Sequence, residues 1–297
     1  MKIGIDLGGT KIECIALDEQ GSELFRHRVA TPCGDYSGTL KAIGKLVRVA
    51  ENTMAETGTV GVGAPGALSP ESGLLRNSNS ICMNGERVKD DLQKILNRDV
   101  RISNDANCFA LSEAIDGSAK GAHVVFGVII GTGTGAGIVV NGQVLTGPNA
   151  IAGEWGHNPL PWPNNNERPG PECYCGKQGC IETFLSGPGL SNDYFLSSGK
   201  NLTAIEIAGL AENNDLLAEE SMRQYENRLA RGLAHVINIL DPDVIVLGGG
   251  MSNISRLYES VPKILNEYVF SDVLNTRLLA PEHGDSSGVR GAAWLWD

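Results

Sequence analysis

Apolar residues alternate with small or polar ones at the start of the chain, at Ile3, Ile5 and Leu7. A period of two predicts a half-buried strand. Gly8-Gly9 then marks a tight turn, and apolar positions resume at Ile12, Cys14, Ile15 and Leu17. Strand, two-glycine turn and strand predict a hairpin. A third strand is expected over Glu23–Ala30, after a Gly21-Ser22 turn. The period then changes to that of a helix. Leu40, Ile43, Val47, Ala50 and Met54 share one face between Tyr36 and Met54. Short strands are expected at residues 60–62 and 100–103, with helices over Val88–Leu96 and residues 106–115. Strands alternating with helices signal an α/β domain with a largely parallel sheet.

The same hairpin pattern returns further along. Residues 127–142 read Gly-Val-Ile-Ile-Gly-Thr-Gly-Thr-Gly-Ala-Gly-Ile-Val-Val-Asn-Gly. At an offset of 123 residues Gly4 meets Gly127, Gly8 meets Gly131 and Thr10 meets Gly133. Both copies run on as apolar strands that close at a glycine, Gly21 and Gly142. A repeat of one strand-turn-strand unit predicts two similar domains in tandem. Beyond it lies a Pro-rich loop over residues 159–171. Helices are expected over residues 203–212, Leu216–Leu240, residues 257–268 and residues 288–296. A buried strand at residues 244–247 ends in Gly248-Gly249-Gly250, and ligands of open α/β sheets sit at such carboxyl ends.

Composition narrows the partners. The chain has 297 residues, enough for two domains, with a net charge of −11 and a pI near 5.0. Nucleic-acid surfaces need clustered Lys and Arg, so no nucleic-acid partner is expected. No apolar run approaches a membrane span of about 20 residues, and Met1-Lys2 leads straight into a strand without signal-peptide character. Seven cysteines are an odd count that does not suit a full disulfide framework. A cytoplasmic location without membrane contact is the expectation.

Three local patterns carry chemistry. The first turn sets backbone N–H groups beside Thr10 and Lys11, with Asp6 just ahead. A hydroxyl and an ammonium suit a phosphate, and the carboxylate suits the magnesium that travels with it. An ordinary edge hairpin with a polar tip would look similar. Neither common phosphate signature competes: there is no Gly-x-x-x-x-Gly-Lys-Ser/Thr. The Gly-x-Gly-x-x-Gly at residues 61–66 is followed by Pro70 and Gly73, which break the helix a dinucleotide turn requires.

The second pattern is Cys173-x-Cys175-x4-Cys180, three thiols that leave one vacancy in a zinc tetrahedron. His157 is the obvious fourth ligand. Such a closed site would be structural. The competing reading is a set of reduced thiols beside a packed histidine. The third pattern is Asn104-Asp105-Ala106-Asn107 after a strand, which places Asp105 at a candidate base position, although Asn and Asp are also ordinary helix caps there. Glu154 and Glu182 flank the cysteine motif and would otherwise be surface ion-pair partners. His27, His123, His235 and His283 fall in no such pattern.

Together these residues resemble the ROK family of bacterial sugar kinases and repressors. The resemblance spans nearly the whole chain. It rests on Asp6-Leu-Gly-Gly-Thr-Lys11, Gly131-Thr-Gly-Thr-Gly-Ala-Gly137, Ala152-Gly-Glu-Trp-Gly-His157, Cys173-Tyr-Cys-Gly-Lys-Gln-Gly-Cys-Ile-Glu182 and Gly248–Gly250. It implies an actin-like ATPase (ribonuclease H-like) α/β fold, with two duplicated domains around a nucleotide and sugar cleft. The expected division is 1–117 with a C-terminal helix 286–297, and 118–285 carrying the zinc site. Asp105 would be the general base for a hexose 6-hydroxyl attacking the γ-phosphate. Gly66, Asn79, Asn104, Glu154, His157 and Glu182 would hold the sugar, His157 serving sugar and zinc through different ring nitrogens. Gly8, Gly9, Thr10, Lys11, Gly131, Thr132 and Gly133 would cradle ATP, with Gly249 and Gly250 beside the adenosine and Asp6 orienting Mg²⁺.

The segments 155–162 and 284–293 look most like the fructokinase/mannokinase branch. D-fructose is therefore the expected acceptor, with D-mannose next and N-acetylglucosamine or glucose the alternatives. A homodimer is expected. A repressor of the same family is disfavoured, because those carry a DNA-binding segment ahead of the first hairpin, which here begins at residue 3.

Overall fold

The computed structural model describes residues 1–78, 80–284 and 287–297. The first hairpin is β1 (Lys2–Leu7) and β2 (Lys11–Leu17), antiparallel, with Gly4 opposite Ile15. β3 (Glu23–Ala30) pairs antiparallel with β2. After helix α1 (Tyr36–Met54), β4 (Thr59–Ala64) lies parallel to β1. A small ribbon, β5 (Ala67–Leu68) with β6 (Leu75–Arg76), precedes helix α2 (Val88–Leu96). β7 (Val100–Asn104), parallel to β4, completes a sheet of order β3-β2-β1-β4-β7 and feeds helix α3 (Asp105–Ile115).

Alternation along β1 sorts two faces. Ile3, Ile5 and Leu7 are fully buried in one core with Leu40, Ile43 and Val47 of α1 and Leu92 of α2. Gly4 turns the other way, onto the last helix, α9 (Ser287–Trp294). A Cβ at Gly4 would sit 2.0 Å from the Val289 carbonyl oxygen, and one at its β4 partner Gly61 would sit 1.9 Å from that of Ala292. Only glycine lets a helix backbone lie this close to a sheet.

The second sheet contains β8 (Val124–Ile130), β9 (Thr134–Val140) and β10 (Gln143–Val144). Its helices are α4 (Ile181–Leu185), α5 (Gly187–Ser198), α6 (Ala204–Glu212) and α7 (Leu216–Leu240). Then come β11 (Val244–Gly248), α8 (Leu257–Leu265), β12 (Arg277–Leu279) and α9 (Ser287–Trp294). The order is β10-β9-β8-β11-β12, with β11 parallel to β8 and β12. This repeats the first sheet position for position, and β2 shifted by 123 residues is β9. The expected duplication is therefore visible in topology as well as in glycine spacing.

Contacts divide the chain into two compact units. Residues 1–121, 137–152 and 282–297 form the first, and 122–136 and 153–281 the second. Residues 137–152 join the first unit because Gly137 lies on α3, where a Cβ would be 2.5 Å from the Ala106 carbonyl oxygen. Residue 286, expected to begin the last helix, lies outside the described residues.

Three expectations change in detail. α8 stops at Leu265 instead of residue 268, α3 begins at Asp105, and α4 and α5 occupy a stretch not read as helical. The Pro-rich loop is also better held than its composition suggests. Glu167, capping a short 3-10 turn, is buried against Arg228 and Arg231 of α7. Among the described residues no helix is long and apolar enough to cross a membrane.

Candidate active site and metal centre

In the first unit the turn after β1 is closed by Gly8 N–H donating to the Lys11 carbonyl at 3.0 Å. Thr31 steadies it, donating its hydroxyl to the Gly8 carbonyl at 2.8 Å and its N–H to the Thr10 carbonyl at 3.0 Å. Gly9, Thr10 and Lys11 are left exposed at the tip. A Cβ at Gly9 would meet nothing nearer than the Ser80 hydroxyl at 3.9 Å, so a ligand can approach this backbone.

Asp6 ends the strand below. Burial, then the charges of Asp105 and Glu13, push its carboxyl from the usual 3.8 up to about 6, while Lys11 and Arg28 pull it down. Asp105 lies in the first turn of α3, where its Oδ1 accepts from the Ala106 N–H at 2.8 Å. The cap itself is Asn104. Its Oδ1 accepts from the same N–H at 2.9 Å, and its Nδ2 donates to the Gly66 carbonyl at 3.1 Å. Gly66, Asn104 and Asp105 are thereby joined. Gly66 has φ +86°, and a Cβ there would be 2.3 Å from the Arg76 carbonyl oxygen. Asn79 lies outside the described residues.

The second unit holds the other group of expected residues. Trp155 is buried edge-on to Phe126 at 5.9 Å and donates its Nε1–H to the Gly232 carbonyl of α7 at 3.3 Å. This anchors a 3-10 turn over Trp155–His157, with Glu154 exposed at its start. The ligand atoms of His157, Cys173, Cys175 and Cys180 all lie within 4.8 Å of one another. Cys173 Sγ is 3.6 Å from His157 Nδ1, and Cys175 Sγ is 3.6 Å from Cys180 Sγ. Zinc–sulfur bonds of about 2.3 Å in a tetrahedron separate two sulfurs by about 3.8 Å. The set fits zinc in donor type, number and spacing.

Glu182, on α4 just past Cys180, accepts from the Thr134 N–H at 2.8 Å. It therefore braces the second glycine turn. Gly131 N–H donates to the Gly133 carbonyl at 2.9 Å within that turn, and the Gly131 carbonyl accepts from Gly187 N–H at 2.8 Å. Gly249, with φ +78°, packs on the end of β8, where a Cβ would be 2.5 Å from the Ile130 carbonyl oxygen.

Tyr174 was not singled out by its sequence pattern. Its hydroxyl is 2.9 Å from His157 Nε2. Burial of that hydroxyl, then the charges of Glu182, Cys173 and Glu154, push the phenol up to about 12. Its place between two candidate ligands was the only signal available.

Two five-stranded sheets of one topology, each carrying a glycine turn between its first hairpin strands, define an actin-like ATPase fold. The chain belongs to the ROK family, among its sugar kinases: the family model described as "ROK family" matches residues 2–297. It is 41% identical over 299 residues to an N-acetyl-D-glucosamine kinase of Photobacterium profundum, covering 99% of each chain. A Vibrio cholerae protein of the same description is 40% identical over 299 residues, again with 99% of each covered. A ROK hexokinase from Thermus thermophilus superposes with a TM-score of 0.89 at 30% identity, covering 99% of this chain and 97% of that one. A ROK glucokinase from Streptomyces griseus, in complex with glucose and AMPPNP, gives 0.78 at 27% identity, covering 98% and 97%. The two N-acetyl-D-glucosamine kinases support the N-acetylglucosamine alternative better than fructose.

Proposed function

We propose that the protein transfers the γ-phosphoryl group of ATP to the 6-hydroxyl of N-acetyl-D-glucosamine. The observation that carries this reading is the 41% identity, over 99% of each chain, to a kinase of that sugar. Asp105 takes the proton as the hydroxyl oxygen bonds to phosphorus and the bond to the ADP oxygen breaks. Phosphoryl transfer asks for positioning and charge neutralisation more than covalent catalysis. The first turn meets that need with exposed backbone at Gly9 and Thr10 and with Lys11. Gly131, Thr132 and Gly133 are assigned to phosphate, and Gly249 and Gly250 to the adenosine.

A divalent cation fits beside Asp6, because burial and then the charges of Asp105 and Glu13 disfavour its ionised carboxylate, and a cation offsets both. Mg²⁺ supplies neutralisation of phosphate charge there. Glu154, His157 and Glu182 are assigned to sugar hydroxyls, and Gly66 and Asn104, with Asn79, keep the same expected role. His157, Cys173, Cys175 and Cys180 would hold zinc in a closed structural site, and the metal would fix the His157 ring. The test is a coupled ADP-release assay across N-acetylglucosamine, glucose, mannose and fructose. N-acetylglucosamine is expected to give the highest kcat/KM, and fructose or mannose in first place overturns the assignment.

A further inference from the structure

The two ring nitrogens of His157 have different neighbours. Nδ1 faces the thiols, 3.6 Å from Cys173 Sγ. Nε2 faces outward and meets the Tyr174 hydroxyl at 2.9 Å. The rings stand edge to face, with centroids 5.0 Å apart and planes at 86°. Tyr174 is otherwise 84% exposed, so that one polar contact holds a large ring in solvent.

We propose that Tyr174 is a self-occupying gate on the sugar site: its hydroxyl holds the place at His157 Nε2 that a sugar hydroxyl takes on binding. The inference rests on the reading of His157 as a sugar contact. A ligand on Nδ1 leaves the single ring proton on Nε2, which is then one donor. One N–H makes one good hydrogen bond, so phenol and sugar exclude each other. Tyr174 stands between Cys173 and Cys175, which a bound zinc would pin on either side. Its backbone therefore stays in place while the exposed ring swings about its own side-chain bonds without repacking a core.

Tyr174→Phe keeps the ring and removes the competing hydroxyl. Binding then no longer begins by breaking a hydrogen bond, whose net worth is modest. Sugar Kd without ATP, read by titration calorimetry, and sugar KM are expected to fall about 2- to 10-fold, by the size of one such bond. The variant's kcat stays within about 2-fold, since Asp105 is untouched, and its zinc content is unchanged. Unchanged Kd overturns the gate, because the phenol then occupies nothing the sugar needs. Weaker binding or lost zinc also overturns it, because Tyr174 would then support the site instead of competing for it. The comparison uses whichever sugar the wild-type enzyme prefers. A wrong assignment of the acceptor therefore shows in the wild-type ranking, and a wrong gate shows in the ratio of variant to wild type.

Discussion

The two glycine turns hold the same place in the repeated topology and differ in charge. Shifted by 123 residues, Asp6 falls on Ile129, Lys11 on Thr134 and Thr10 on Gly133. The first turn keeps a cation and a strained carboxylate, with Asp105 close enough to raise its pKa. The second has no charge within residues 129–134 and receives one from outside, Glu182 on the Thr134 N–H. Duplication kept the topology and let the polar equipment diverge. The first unit thereby took the residues suited to moving a proton and neutralising phosphate. The second took a thiol-imidazole cluster suited to holding a shape.

The strongest way to break that division is Asp105→Asn. A positioned base contributes about 10²- to 10⁴-fold, so kcat should drop by that order while sugar Kd, measured by calorimetry, changes little. Turnover within a few-fold of wild type would remove the chemistry from the first unit. The matching test in the second unit is Cys175→Ser. Losing one ligand of a closed site should release the metal, measured as about one zinc per chain in wild type and none in the variant. Outer partners of bound metals are worth about 10- to 100-fold, and sugar affinity should weaken by that order. A metal-free wild type with full activity would refute the structural role.

Asp6→Asn sharpens the contrast through stability. A carboxyl raised from 3.8 to about 6 binds its proton more tightly in the folded state than in the unfolded one. The stability this proton confers is complete below about pH 3.8 and is lost as pH rises through about 6. At pH 7.5 the ionised group then costs about 1–3 kcal/mol, from roughly two pKa units at about 1.4 kcal/mol each. The variant should resist urea better than wild type at pH 7.5, converge with it as pH falls through 6 toward 4, and lose turnover through loss of the cation's partner. Equal stability at pH 7.5 would mean the site stores no such strain.

How far this division could be read from the sequence depended on periodicity. β1 shows a clean period of two and α7 one of 3.6, and α7 runs from Leu216 to Leu240 as its apolar stripe predicts. α5 shows none: Gly187, Pro188 and Gly189 open it, and among its twelve residues only Gly189, Leu190 and Tyr194 are buried. Its signals were caps, with Ser186 accepting from Gly189 N–H and Pro188 in the first turn. Hydrophobic spacing does not register those. The cysteine cluster was legible because four ligands lie close in sequence. The bracing of the second turn by Glu182 was not, since it joins residues 48 apart through one carboxylate. Tyr174 carried no periodic or charge signal, and its role depends on where His157 Nε2 points.

The smallest expected effects come from one methyl group added to each turn. At Gly9 an added Cβ finds open space, its nearest neighbour 3.9 Å away, so Gly9→Ala should leave thermal stability within about 0.5 kcal/mol of wild type. At Gly133 the same methyl would come 2.7 Å from Glu182 Oε2, the far end of a flexible side chain. The carboxylate can retreat, but only by giving up the Thr134 N–H, a charge-assisted bond worth about 1.5–3 kcal/mol. Water can replace part of it, so Gly133→Ala should destabilise by about 1–2 kcal/mol in urea titration. Gly9→Ala should instead raise KM for ATP, because a methyl there stands where phosphate meets backbone N–H groups. If Gly133→Ala proves as stable as wild type, Glu182 does not brace the second turn. If Gly9→Ala leaves KM for ATP unchanged, the first turn is not where phosphate lies.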